Sequence, residues 1–229
     1  MTFQERFIQN FIEDNRWKYL TGGLQNTLTI TFFALALGLA IGALVAVIRT
    51  TSDTTGRLKA PNLLVRLYVT VIRGTPVLIQ LMIIYYIVFN SVGIDRIHAA
   101  ILGFGINSGA YVSETFRGGI MSIDPGQMEA GRSLGLNYRQ TMLRIVMPQA
   151  IKNVLPAIGN ECIMLLKETS VAGYIAVMDL TRGADIIRSR TYEPFFPLMA
   201  AAAIYLVMVL ILQAGVGKLE KKLAKSDRR

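Results

Sequence analysis

From Leu28 to Ile48 the chain carries no charged residue, and that stretch limits the possible fold more than any other feature. A helix needs about 20 such residues to cross the hydrocarbon of a bilayer. Inside hydrocarbon the backbone must satisfy its own polar groups, which a helix does from within. Composition points the same way, with 52% hydrophobic residues and 17% charged and a mean hydropathy of +0.44. The chain is therefore expected to be an all-α, polytopic membrane protein. Its opening residues, MTFQERFIQNFIEDNRWKYL, lack a continuous apolar core and a small-residue cleavage site, so the first span is expected to be retained.

Residues 1–22 alternate Phe7, Ile8, Phe11 and Ile12 with charge, and Trp17 and Tyr19 suit a headgroup region. That pattern predicts an amphipathic helix on the surface, followed by a membrane domain over residues 23–229. Span one is expected from near Leu24 to Ile48, with Gly38 and Gly42 at a spacing that permits close helix packing. Span two, from about Leu63 to Val92, contains Pro76, which predicts a kink or a short break. Span three, Ala99 to Phe116, leads into a stripe of Asn107, Tyr111, Glu114 and Gly118 that faces other helices. Span four is expected from Pro148 to about Leu166, and a break follows over Lys167 to Gly173. Tyr174 to Arg190 reads as a short amphipathic segment, and span five runs from Phe195 to Val216, ending at Gly217.

Excess Lys and Arg mark cytoplasmic loops. Arg49, Arg57 and Lys59 face only Asp53 in the first loop, Asp95 and Arg96 balance in the second, and the tail holds Lys218, Lys221, Lys222, Lys225, Arg228 and Arg229. Five spans with the N-terminus outside and the C-terminus inside satisfy this bias at every loop. The net charge of +9, with Arg132, Arg139 and Arg144 on a helix-turn-helix insert, would otherwise suggest nucleic acid. The basic clusters are those that orientation already requires, so no nucleic-acid partner is expected.

That insert, residues 124–148, is polar and lies between apolar segments. Asp124 precedes Pro125 and has Gln127 three residues on, a capping box with proline at the first helical position. Met128, Ala130, Gly131 and Leu134 suit one compact helix, which Gly135 ends in a left-handed conformation. Asn137 with Gln140 repeats the cap, and Pro148 opens the next element. Two short capped helices form a knob suited to a groove on a partner. The order Glu129, Ala130, Gly131, then Gly135, then Ile145, Val146, Met147, Pro148 resembles the EAA loop of ABC importer permeases, with Gly131 in place of Ala and Met147 in place of Leu. The resemblance implies that Glu129, Ala130, Gly131, Arg132, Gly135 and Pro148 couple the chain to an ATPase subunit.

Ionisable groups in a membrane helix cost about 2.5–3.5 kcal/mol each on insertion scales and need a reason to be there. On span four, Asn153, Asn160 and Lys167 share one face, and Glu161 and Glu168 share the adjacent strip. The face reads either as a translocation pathway or as a buried network that locks helices together. Arg73, followed by Thr75, could hold a carboxylate through two hydrogen bonds, or snorkel to headgroups. The strings RGTPVLIQ from Arg73, NSGAYVSETFRGGI from Asn107 and GNECIMLLKETSVAG from Gly159 resemble segments of permeases for polar amino acids. This resemblance makes Glu161, Asn160, Arg73, Thr75, Lys167, Glu168 and Glu114 the expected pathway residues. It implies a type I importer fold in a bacterial cell membrane and a second permease copy or a sibling permease. Two ATPase subunits that bind ATP and Mg, an extracytoplasmic solute-binding protein and a polar amino acid substrate complete the implied set.

An enzyme lacks parts in this chain. Cys162 and His98 are the single cysteine and histidine, and no phosphate-binding glycine loop with Lys and Ser or Thr is present. No catalytic residue, metal site or cofactor of its own is expected, and ATP hydrolysis is assigned to a separate chain. The rival is a secondary carrier driven by an ion gradient, with Glu161 and Glu168 as cation sites. It predicts an internal repeat, which the sequence does not display.

Overall fold

The charge-free run lies within a helix far longer than a bilayer requires. The computed structural model describes residues 2–226, and in it α2 spans Trp17–Thr55. The helix begins at Trp17 rather than near Leu24 and stops where Gly56 takes a φ of +66°. Before it, α1 (Phe3–Phe7) continues through a π turn (Ile8–Ile12) and a 3₁₀ turn (Glu13–Asn15). Positive φ at Asp14 and Asn15 separates this segment from α2. Phe3, Phe7, Ile8 and Ile12 stay exposed, while Phe11 packs against a buried cluster, Phe3 meets Phe196 at 5.0 Å, and the Thr191 hydroxyl donates to buried Asn10 at 2.9 Å.

The expected second span is broken at Pro76, as the sequence predicts. It divides into α3 (Lys59–Gly74) and α4 (Val77–Ile83, continued by a π turn over Ile84–Val88), bent by 113°. Pro76 has no N–H to donate and its ring excludes a continuing helix, which leaves carbonyls at the end of α3 without partners. Gln80, one turn into α4, covers them. Its amide donates to the Ile72 and Thr75 carbonyls and to Thr75 Oγ1 at 2.7–2.9 Å, and its oxygen accepts from Asn107 at 2.9 Å. In a solvent without hydrogen-bond donors, such internal coverage is what permits a break.

Helix α5 (Arg96–Met121) lies parallel to α2, with Gly38 beside Ser108 and Gly42 beside Val112. A Cβ at Gly42 would stand 2.5 Å from Val112 Cγ1, so this glycine pair works by close backbone approach, which drives helix association in lipid through dispersion contacts. Next come α6 (Pro125–Ser133), α7 (Tyr138–Thr141), a π turn (Met142–Val146) and α8 (Met147–Glu168). A 3₁₀ turn (Thr169–Ile175), α9 (Leu180–Thr191) and α10 (Phe195–Ser226) complete the described chain. Helix α8 runs antiparallel to α5, pairing Val154 with Gly119 and Glu161 with Ser108. Ile30, Leu81, Phe104, Leu165 and Ile175 form the central core where α2, α4, α5, α8 and the 3₁₀ turn meet.

At the end of the bundle opposite α6, α9 packs across the start of α2. Thr27 Oγ1 accepts from the Leu180 N–H at 3.1 Å, and Arg190 lies 5.0 Å over the Tyr19 ring. Among the described residues two helices, over 17–54 and 195–223, are long and apolar enough to cross a membrane, and the bent pair adds a third. Helices α5 and α8, roughly 39 and 33 Å at 1.5 Å per residue, are long enough as well; the polar residues Asn107 and Ser108 of α5 are buried, whereas Asn153, Asn160 and Lys167 of α8 are exposed. Helix α10 does not end at Gly217 but carries Lys218, Lys221 and Lys222 onward. Arg228 and Arg229 lie outside the described residues.

Candidate functional site

The knob is built by caps, as its spacing predicts, with one exception. Asp124 Oδ1 accepts from the Gly126 N–H at 2.8 Å with Pro125 at the first helical position. Gln127 does not return to the Asp124 backbone; its oxygen accepts instead from Gln149 at 3.4 Å, a partner on α8. Gly135 takes φ +85°, so that the N–H groups of Gly135 and Leu136 reach the Arg132 and Gly131 carbonyls at 3.0 and 3.2 Å. Asn137 and Gln140 form the full reciprocal box, both bonds 2.9 Å. Pro148 falls in the first turn of α8, but the helical path enters α8 through the π turn without a break. The knob is thus one body with α8.

Glu129, Ala130, Arg132 and Gly135 are exposed, while Gly131 is buried. A Cβ at Gly131 would lie 2.5 Å from Thr141 Cγ2, so the absent methyl is what lets α6 and α7 touch. Leu134, which the sequence pattern assigns to the first compact helix, stands at its C-terminal end and is 81% exposed. The Tyr138 hydroxyl, 3.2 Å from Thr54 Oγ1, ties the knob to the end of α2.

On α8, Glu161 accepts a hydrogen bond from Ser108 of α5 at 3.2 Å. Asn160 and Lys167 are exposed along the adjoining face, and Glu168 is half-buried two turns beyond Glu161. Arg73 lies 5.3 Å over the Tyr111 ring and lines a cleft of about 430 Å³ together with Arg49, Asp53, Arg66, Glu114 and Arg117. Glu114 is held by Arg49 of α2 and by Arg117 at 3.0 Å; Arg66 pairs with Asp53 at 2.9 Å. Thr75 belongs to neither group. Its hydroxyl donates to the Val71 carbonyl at 2.8 Å and accepts from Gln80 at the helix break. The structure therefore brings Arg73 and Glu114 into one cleft, sets Glu161 on Ser108, and leaves Thr75 as part of the joint between α3 and α4.

Outside the spans, buried Asp179 holds the 3₁₀ turn to α9, accepting from the Gly173 and Arg182 N–H groups at 3.1 and 2.5 Å. Burial pushes its carboxyl up to about 6 in spite of these donors.

The sequence of residues 38–225 matches the model of a family described as binding-protein-dependent transport system inner membrane component. A putative glutamine transport system permease protein of Rickettsia typhi is 38% identical over 207 residues, covering 90% of this chain and 93% of that protein. An arginine transport system permease protein of Bacillus subtilis is also 38% identical, covering 91% and 94%. A chain in the crystal structure of an amino acid ABC transporter with histidines superposes with a TM-score of 0.81 at 42% identity, over 90% of this chain and 94% of that one.

Proposed function

The chain belongs to the family of binding-protein-dependent transport system inner membrane components, and from that premise we propose that it is the permease subunit of an ATP-driven importer of polar amino acids. The observation that carries the reading is the fusion of an exposed, capped knob to the helix that bears Glu161. A partner that moves the knob moves the polar face of α8 with it. Proteins named for glutamine and for arginine transport stand at the same identity, so identity does not choose among amino acids.

In this reading the ATPase subunits hold ATP and its magnesium and receive Glu129, Ala130 and Arg132, with Leu134 as the apolar anchor in their groove. Gly131, Gly135 and Pro148 act by shaping and seating the knob. Closure of the ATPase pair shifts the two knobs of a permease pair, and α8 exchanges inward for outward access. Glu161, Asn160, Lys167 and Glu168 then form the polar wall along which an amino acid passes. Arg73 presents the fork that a carboxylate accepts, and Glu114 holds the neighbouring arginines in place. The second permease is either another copy of this chain or a sibling, and a solute-binding protein delivers substrate at the α9 end. With the knob in the cytoplasm, the start of α2 faces out and the C-terminal end of α10 faces in, in keeping with the excess of basic residues. No chemical step falls to this chain.

The test is purification of tagged wild type and Glu129→Arg in mild detergent from native membranes, with quantification of co-purifying chains. A nucleotide-binding ATPase stoichiometric with wild type and depleted at least tenfold by the substitution is expected. Absence of any ATPase from folded wild type, together with uptake driven by an ion gradient alone, would overturn the proposal in favour of a carrier.

A further inference from the structure

A second cavity, of about 420 Å³, lies between α2, α5 and the knob, and the transport reading leaves it unused. Ala46, Val47, Phe116, Ile120 and Met142 give it apolar walls, and Arg139 is the one charged residue lining it. Its size falls within the range of small-molecule sites. It opens on the flank of α2, where Val47 and its neighbour Leu44 are 61% and 63% exposed, and on Leu143 of the π turn, 57% exposed. Helix α2 is long and apolar enough to cross a membrane, which makes the cavity a continuation of its lipid-facing surface at the knob end, at the level of the headgroups. Arg139 is exposed and has no ion pair among the described residues. Apolar walls continuous with the hydrocarbon and a free guanidinium at the polar level match the two halves of one molecule.

We propose that this cavity binds one acyl chain of an anionic phospholipid whose phosphate is held by Arg139. The guanidinium forms the two parallel hydrogen bonds that a phosphate oxygen pair accepts. The acyl chain fills the space between α2 and the knob, so the lipid sits as a wedge at the joint through which the knob moves. The inference requires only that the chain spans a membrane and does not depend on what it carries.

The full chain in lipid nanodiscs tests it, with Leu143→Trp as reporter and Trp17→Phe removing the only native tryptophan. Acyl-brominated phosphatidylglycerol is expected to quench the reporter about fivefold more effectively per mole than acyl-brominated phosphatidylcholine, the preference one arginine confers near a membrane surface. Arg139→Gln should abolish the preference, and Arg139→Lys should retain part of it. Equal quenching by the two lipids would mean contact with bulk bilayer only and would overturn the proposal, as would a preference unchanged by Arg139→Gln. Native mass spectrometry of the unsubstituted chain gives a reading that needs no reporter. One retained phosphatidylglycerol per chain, lost in Arg139→Gln, supports the site, and its absence overturns it.

Discussion

Gly131 is a weak helix former inside a short helix, and it stands 2.5 Å from Thr141 Cγ2 by the measure of the methyl it lacks. Gly131→Ala gains about 1 kcal/mol of helix propensity but forces a methyl into a closed contact, which costs about 1–3 kcal/mol. The loss should win, lowering the thermal midpoint of the purified permease, and adding Thr141→Ser should restore most of it by removing Cγ2. A higher midpoint in the single variant would mean that the contact is not closed. The sequence shows the glycine as a local defect, because its reason lies on the next helix. Asn137 and Gln140 were legible because both ends of that cap are three residues apart. Gln127 had the same spacing, but Gln149 on α8 offered it another partner. Local grammar decides a bond only where no tertiary partner competes.

At the scale of elements, the break between α3 and α4 depends on one amide. Gln80→Leu would leave the carbonyls of Ile72 and Thr75 and the amide of Asn107 without their present partner, at about 1–3 kcal/mol for each group left unsatisfied. Thermal unfolding in detergent should show a loss of at least about 2 kcal/mol, and an unchanged midpoint would mean that other groups cover the break. Pro76 announces the interruption in the sequence, but not the 113° turn or the bond by which Asn107 of α5 holds Gln80 at it. Glu114 is a similar case: its partner Arg49 is on another helix, so spacing could place it on a face but not in a clamp. The polar strip of α8 was fully legible, since helical period alone brings Asn153, Asn160 and Lys167 to one side.

For the whole molecule, the order of spans followed from hydropathy and charge, while the unbroken passage from knob to α8 did not, because Pro148 reads as a boundary and the π turn absorbs it. Two glycines inserted within Met142–Val146 should leave ATPase co-purification intact and reduce ATP-driven uptake more than tenfold. Uptake at the wild-type rate would show that the joint transmits nothing. From Tyr138 to Glu168 the helical path is a rod, and it rests near its middle, where Val154 bears on Gly119 and Asn153 meets Ser122. The two arms are roughly 24 and 21 Å at the α-helical rise, and Pro156 sits beside the support rather than out on either arm. The far end of the rod is held as well, with Leu165 in the central core and Leu166 buried beside it, so a push on the knob would be delivered along the rod to the packing at the other mouth of the bundle.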